Sequence, residues 1–203
     1  MTGVLNERQE RLQAEADELR RRWRLDEVLP RVGPVHYVGS YVSGLLVWRD
    51  LDVMVLAPSG FGPPEVVGLL AELVTLPGVA GFDVHDERGP RSPTGQRRDE
   101  RWHVPLVTNA ASGGWRLDLT LWLHDDHAHL TRWHEELRGR LTPEQRGAIL
   151  TIKDAWHTRP EYPDVVGGSD VYQAVLEGGV RTPEEFAGWL GRHKEPRGGA
   201  PPP

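Results

Sequence analysis

The sequence predicts an α/β chain of the α+β kind, a mixed β-sheet with flanking helices followed by a helical C-terminal part. Three observations carry this expectation. Residues 115–123 alternate strictly, with Trp115, Leu117, Leu119, Leu121 and Leu123 on one face and Arg116, Asp118, Thr120 and Trp122 on the other, the period of a half-buried strand. Between this run and other strand-like runs lie stretches with helical spacing, such as Val66, Leu69, Leu70, Leu73 and Val74. Beyond residue 126 the signals are helical throughout. The 203 residues, 38% hydrophobic and 27% charged, suffice for one globular domain with a helical appendage.

Taken in order, Leu5, Leu12, Ala16, Leu19 and Trp23 lay one apolar stripe along a helix over residues 5–25. Arg20, Arg21, Arg22 and Arg24 fit a solvated face near its C-terminus, where positive charge suits the helix dipole. Pro30 and Gly33-Pro34 end it. Residues 35–38 read as a short strand, Gly39-Ser40 as a turn, residues 41–47 as a short helical stretch and residues 50–57 as a second strand rich in Val and Leu. Pro63-Pro64 opens a helix that Leu76-Pro77-Gly78 stops. Residues 82–85 and 102–107 read as strands, separated by the arginine-rich polar segment 88–100. Later helices start at Thr142-Pro143-Glu144, Ser169-Asp170 and Thr182-Pro183-Glu184, the last two resembling N-caps. The expected division is a core with its N-terminal helix at residues 1–124, a helical part at 125–194 and a disordered tail at 195–203.

Thirty acidic against 24 basic residues give a net charge of -6, which disfavours a nucleic-acid partner. The absence of cysteine excludes a disulfide framework, a thiolate zinc site and a cysteine nucleophile. No leader-like segment opens the chain, and no apolar run approaches the ~20 residues needed to span a bilayer, so a cytoplasmic protein without a membrane partner is expected.

The segment with the most chemistry runs from Gly39 to Val53, where a Gly-Ser pair precedes Asp50-Leu51-Asp52 on a strand. Residues two apart on a strand share a face, so both carboxylates face one site while Leu51, Val53 and Val55 bury the other side. Paired carboxylates supply the hard oxygens that Mg²⁺ prefers, alongside substrate phosphates. Gly39 permits close backbone approach to a phosphate, and the Ser40 hydroxyl can donate to one.

The stretch Gly39-Ser40-Tyr41-Val42-Ser43-Gly44, followed after five residues by Asp50-Leu51-Asp52-Val53, resembles the signature of the nucleotidyltransferase superfamily named after DNA polymerase beta. It is similar in particular to the small bacterial antibiotic- and metabolite-modifying members. Leu117-Asp118-Leu119 fits that family's third acid, and the resemblance spans residues 35–124. It implies a metal-dependent enzyme that moves a nucleoside monophosphate from an NTP, with ATP favoured, to a small-molecule acceptor and releases pyrophosphate. Asp50, Asp52 and Asp118 would be the catalytic and Mg²⁺- or Mn²⁺-binding residues, and Gly39 and Ser40 would cradle the phosphates. Arg49 stands where the family usually has serine and is offered to the same phosphates. Lys153, which spacing alone reads as a solvated lysine, is a nucleotide contact by analogy with the family's C-terminal helices. The rival expectations are a protein nucleotidyltransferase of toxin–antitoxin type and a catalytically silent nucleotide-binding regulatory domain.

Four further groups have readings of their own. His124, Asp125, Asp126, His127 and His129 combine zinc-type ligands, yet lack the spacing of a tetrahedral set, and the acids read as helix caps. His134 and His157 read as helix-surface residues. The arginines of residues 88–101 read as a charged surface loop, with a lid over a triphosphate as the functional alternative. Trp122, Trp133, Trp156 and Tyr172, set among Glu135, Glu136 and Asp154, form either a helical core or an acceptor pocket.

Overall fold

A computed structural model describes residues 2–92, 100–109, 113–124, 129–163 and 165–193. Two compact units divide the chain, one of Gln9–Arg140 and one of Met1–Arg8 with Leu141–Pro203. Helix α1 (Thr2–Arg22) contributes to both. The first unit continues with α2 (Leu25–Val28), β1 (Val35–Tyr37), α3 (Gly39–Ser43), β2 (Asp50–Leu56), α4 (Pro63–Leu73), β3 (Val79–Phe82), β4 (His85–Asp86), β5 (Arg101–Thr108), β6 (Arg116–Trp122) and α5 (His129–Arg140). The sheet order is β1-β2-β6-β5-β3, with β4 also on β5. Strands β2 and β6 are parallel, and every other pair is antiparallel. This is the mixed α+β architecture that the alternating runs predict.

An alternating strand has an apolar face that must be covered, and here α1 and α4 cover it. Leu51, Val53, Val55, Val104, Leu106, Leu117, Leu119 and Leu121 pack against Leu12, Ala16, Leu19 and Trp23 of the N-terminal helical region and Val66, Leu69 and Leu73 of α4. Trp23 is fully buried, and its indole N–H donates to the Pro77 carbonyl at 3.0 Å. On the opposite face Val38, Met54 and Trp122 form a small apolar patch with Leu130 of α5. The remainder of that face carries the acids.

Several elements depart from expectation for identifiable reasons. Gly39-Ser40 starts α3 rather than forming a separate turn, and α3 stops at Ser43 because Gly44 takes the left-handed conformation at φ 66°. Leu45, Leu46 and Val47 are buried without being helical. The strand expected at residues 82–85 is two short strands, β3 and β4, whose limits are set by pairing with β5. Arg20 does not lie on a solvated face: its guanidinium stacks 3.8 Å from the Tyr37 ring centroid, bonds Asp26 and donates to the Tyr41 hydroxyl.

The other unit holds α6 (Pro143–Trp156), α7 (Gly168–Leu176) and α8 (Pro183–His193). Thr142 caps α6 in a reciprocal box with Gln145, and Thr182 and Glu185 do the same at α8. At α7 the cap is Gly167, not Ser169-Asp170; Asp170 is the third helical residue and accepts the Gly167 N–H at 2.8 Å. Ile149, Ile152, Val171, Val175 and Phe186 are buried, and Trp156 meets Phe186 edge-on at 5.0 Å. Lys153 is buried as well, at 0% exposure. The solvated reading of this lysine is therefore wrong, because α6 packs against both α7 and α8 and keeps no open flank there.

Candidate active site

The parallel pairing of β2 with β6 brings the acids together. Asp52 lies opposite Asp118 and Asp50 opposite Arg116, while Leu51 pairs with Leu117 and Val53 with Leu119 on the buried side. Partners in a parallel ladder share a face. Asp50, Asp52 and Asp118 thus project from the same face of two adjacent central strands.

Gly39 and Ser40 are brought to the same place by β1. Its antiparallel pairing sets Tyr37 opposite Val53, and the Val38 N–H donates to the Asp52 carbonyl at 3.2 Å. The chain then turns into α3 at Gly39, with φ +67°. A Cβ on Gly39 would lie 2.0 Å from Asp52 Oδ2, so the Asp52 carboxylate occupies space that any other residue would fill. The Tyr41 hydroxyl donates to Asp17 Oδ1 of α1 at 2.5 Å, tying α3 to the main helix. The Ser43 hydroxyl donates to the Gly39 carbonyl at 3.0 Å and braces the same turn.

Asp118 has partners that the sequence did not reveal. His103 of β5 donates from Nε2 to Asp118 Oδ1 at 2.7 Å, and Arg116 Nη2 reaches Oδ2 at 3.1 Å. Burial pushes the Asp118 carboxyl up. The His103 hydrogen bond and the positive charges of His103, Arg116 and Arg101 outweigh that burial, leaving the group below its ordinary value. One signal could have found His103: Trp102, Val104 and Leu106 alternate as a buried face, which puts His103 on the acid side. Its pairing with Asp118 depends on the β5–β6 register, which no local pattern encodes.

The remaining candidates sit as follows. Arg49 forms an ion pair with Glu15 of α1, with Nε to Oε2 at 2.7 Å. Lys153 lies in the helical unit with its ammonium 5.7 Å from the Tyr172 ring centroid. His124 packs edge-on to Trp122 and His134 to Trp133, while His157 Nδ1 lies 2.8 Å from the Asp154 carbonyl. Asp125, Asp126 and His127 lie outside the described residues, as do residues 93–99 and the tail. Among the described residues no three His, Asp or Glu side chains converge as a metal-binding group. A depression of about 290 Å³ is lined by Asp17, Arg20, Arg21, Arg24, Asp26 and Glu27, none of them one of the three acids.

The described arginines of the 88–101 segment are engaged by acids. Arg88 makes a two-point contact with Asp86 at 2.6 and 3.0 Å, and Arg101 bonds Glu87. The Arg88 hydrogen bond, opposed by burial and aided by the charges of Arg88 and Arg91, holds the Asp86 carboxyl below its usual range. A carboxyl lowered in the folded state stabilises above its unfolded pKa of about 3.9, and that contribution is lost as pH falls through the lower folded value. Asp86→Asn should therefore lower stability at pH 7 by about 1 kcal/mol or less, and the gap should close under acid conditions. Urea titrations of both proteins from pH 7 downwards check this; a gap that stays constant with pH would remove the assignment.

The sheet and its covering helices make an α+β protein, a mixed sheet with flanking helices and an acid-bearing face. A solved structure of similar fold is that of the non-canonical poly(A) polymerase complex GLD-2–GLD-3, with a TM-score of 0.54 and 14% sequence identity over 85% of this chain. The match takes in 57% of that chain, so this protein spans little more than half its length. No protein-family model and no curated protein matches the sequence. Among the described residues no helix is long and apolar enough to cross a membrane.

Proposed function

We propose that this protein is a metal-dependent nucleotidyltransferase that moves a nucleoside monophosphate from an NTP, with ATP favoured, to a hydroxyl or similar group on a small molecule. The observation that carries the reading is the β2–β6 register, which sets Asp52, itself next to the α3 turn, beside Asp118 and leaves Asp50 on the same face. The chemistry of the donor set suits Mg²⁺ or Mn²⁺: Asp50, Asp52 and Asp118 offer hard carboxylate oxygens from one face, which a bound cation would have to draw together, and the side chain missing at Gly39 leaves the Asp52 carboxylate room. When bound, the cation supplies charge neutralisation for the triphosphate.

The chain's own groups do the rest. Gly39 and Ser40 hold phosphate oxygens through backbone N–H groups and the hydroxyl. Asp118 orients the acceptor hydroxyl and takes its proton on a carboxylate oxygen, for which an ionised carboxylate is required. Arg49 reaches a phosphate only by exchanging Glu15 for it, and Lys153 enters this scheme through the family resemblance alone. Most of the acceleration would come from positioning and charge complementarity.

The structural neighbour's name refers to polyadenylation, but a net charge of -6 favours a small acceptor over RNA here. The deciding experiment supplies each of the four NTPs with Mg²⁺ or Mn²⁺ and, separately, a panel of hydroxyl-bearing small molecules, an RNA oligonucleotide and a protein mixture, and follows pyrophosphate release. Release stimulated by a small molecule, greatest with ATP, is expected. Label entering RNA or protein would move the acceptor class, and no turnover with any NTP would favour a silent binding domain.

A further inference from the structure

We infer that His103 is a positioning residue for Asp118: it fixes Oδ1 so that Oδ2 is the oxygen offered to the cation and acceptor, while Arg116 is a displaceable counter-charge on Oδ2. The inference rests on the nucleotidyltransferase reading of the three acids.

The two partners of Asp118 differ in how firmly they are built in. His103 is paired with Thr120 across the β5–β6 ladder, and Pro105, which has no side-chain donor, stands opposite Asp118 itself. The imidazole therefore reaches diagonally along the acid face to make its 2.7 Å bond to Oδ1. A carboxylate only accepts, so the His103 nitrogen facing it carries the proton. The ring is held from other sides as well. Glu87 Oε1 lies 3.7 Å from Nδ1, the His85 ring stacks on it at 5.6 Å, and Glu87 is anchored by Arg101. The His103 side chain is only 18% exposed.

Arg116 is 44% exposed and touches Oδ2 through one nitrogen at 3.1 Å. It pairs in register with Asp50, on the face that carries the three acids. An exposed arm held by one contact gives way to a cation more readily than a ring fixed by several neighbours. A buried partner that orients a ligating carboxylate commonly contributes 10- to 100-fold to metal affinity, whereas an exposed ion pair is worth about 1 kcal/mol or less. The two substitutions should therefore act in opposite directions.

The test follows free Mn²⁺ by electron paramagnetic resonance during titration of the full chain, with folding checked by circular dichroism. His103→Ala should weaken Mn²⁺ binding about 10-fold, and His103→Gln, whose amide can still donate to Oδ1, should recover part of it. Arg116→Gln should tighten binding by up to about fivefold. Asp52→Asn serves as the site control. If native protein and Asp52→Asn bind Mn²⁺ equally or not at all, the active-site reading falls and this inference with it. If Asp52→Asn loses binding while folded His103→Ala binds as the native chain does, or Arg116→Gln binds more weakly, the positioning role alone is overturned. Should His103→Ala fail to fold, the sign of the Arg116→Gln effect and the His103→Gln affinity decide.

Discussion

Asp52→Asn should lower the rate of pyrophosphate release by about 10³-fold while leaving the fold intact. The substitution keeps the shape of the side chain and removes its charge. Asp52 sits between the Gly39 turn and Asp118, at the centre of the acid face, so its carboxylate is the one that both neighbouring elements are arranged around. Charge neutralisation at a metal-assisted centre is worth several kcal/mol, and about 4 kcal/mol corresponds to 10³ in rate. Removing one of a set of like charges should leave the melting temperature equal or slightly higher. Steady-state turnover and a thermal melt on the same preparation check both halves. A variant that works within about tenfold of the native rate would mean that the acids are not the centre of the chemistry.

Gly39→Ala should be nearly as damaging, by a route that separates strain from function. Its Cβ would lie 2.0 Å from Asp52 Oδ2, and the backbone there is left-handed at φ +67°, which costs an L-residue about 1–2 kcal/mol. Gly78→Ala is the matched control: φ is +85°, and the nearest atom to its Cβ is Arg22 Nη2 at 4.0 Å. Both substitutions should lower the urea midpoint, Gly39→Ala by more, because its Cβ also meets Asp52 Cγ at 2.9 Å. Only Gly39→Ala forces the Asp52 carboxylate aside, and a displacement of about 1 Å in a reacting group can cost 10²-fold in rate. Equal activities in the two variants would show that the close approach at Gly39 serves folding alone.

What the sequence disclosed followed the range of the physics involved. Alternation is local, so the β6 run revealed which side Asp118 takes, and the Asp-x-Asp spacing revealed that Asp50 and Asp52 share a face. The parallel contact between Asp52 and Asp118 is non-local; it depends on a long connection returning the chain beside β2, and only the family resemblance hinted at it. His103 stayed hidden for the same reason, since its role exists only in the β5–β6 register. Lys153 was misread because periodicity along α6 identifies the richest apolar side but not a second flank closed by neighbouring helices. Arg20 was misread because a basic residue near a helix C-terminus has a sufficient local explanation, while Tyr37 and Tyr41, which embed it, come from later elements. A short helix after Val38 was legible, but its bounds were not: it begins at Gly39, where a separate turn was expected, and stops at Ser43 instead of covering residues 41–47.

The order in which the strands are made differs from the order in which they lie. β6 is the last described strand in the chain, yet it sits between β2 and β5 near the middle of the sheet. During synthesis β1 can pair with β2, and β3 and β4 with β5, but these two ribbons share no hydrogen bond until residues 116–122 have emerged. Until then each ribbon presents an open strand edge, the surface through which unfinished β-proteins adhere to one another. Asp118 arrives on the very strand that covers both of these inner edges, so the step that joins the two ribbons is also the step that sets Asp118 beside Asp52 on one face.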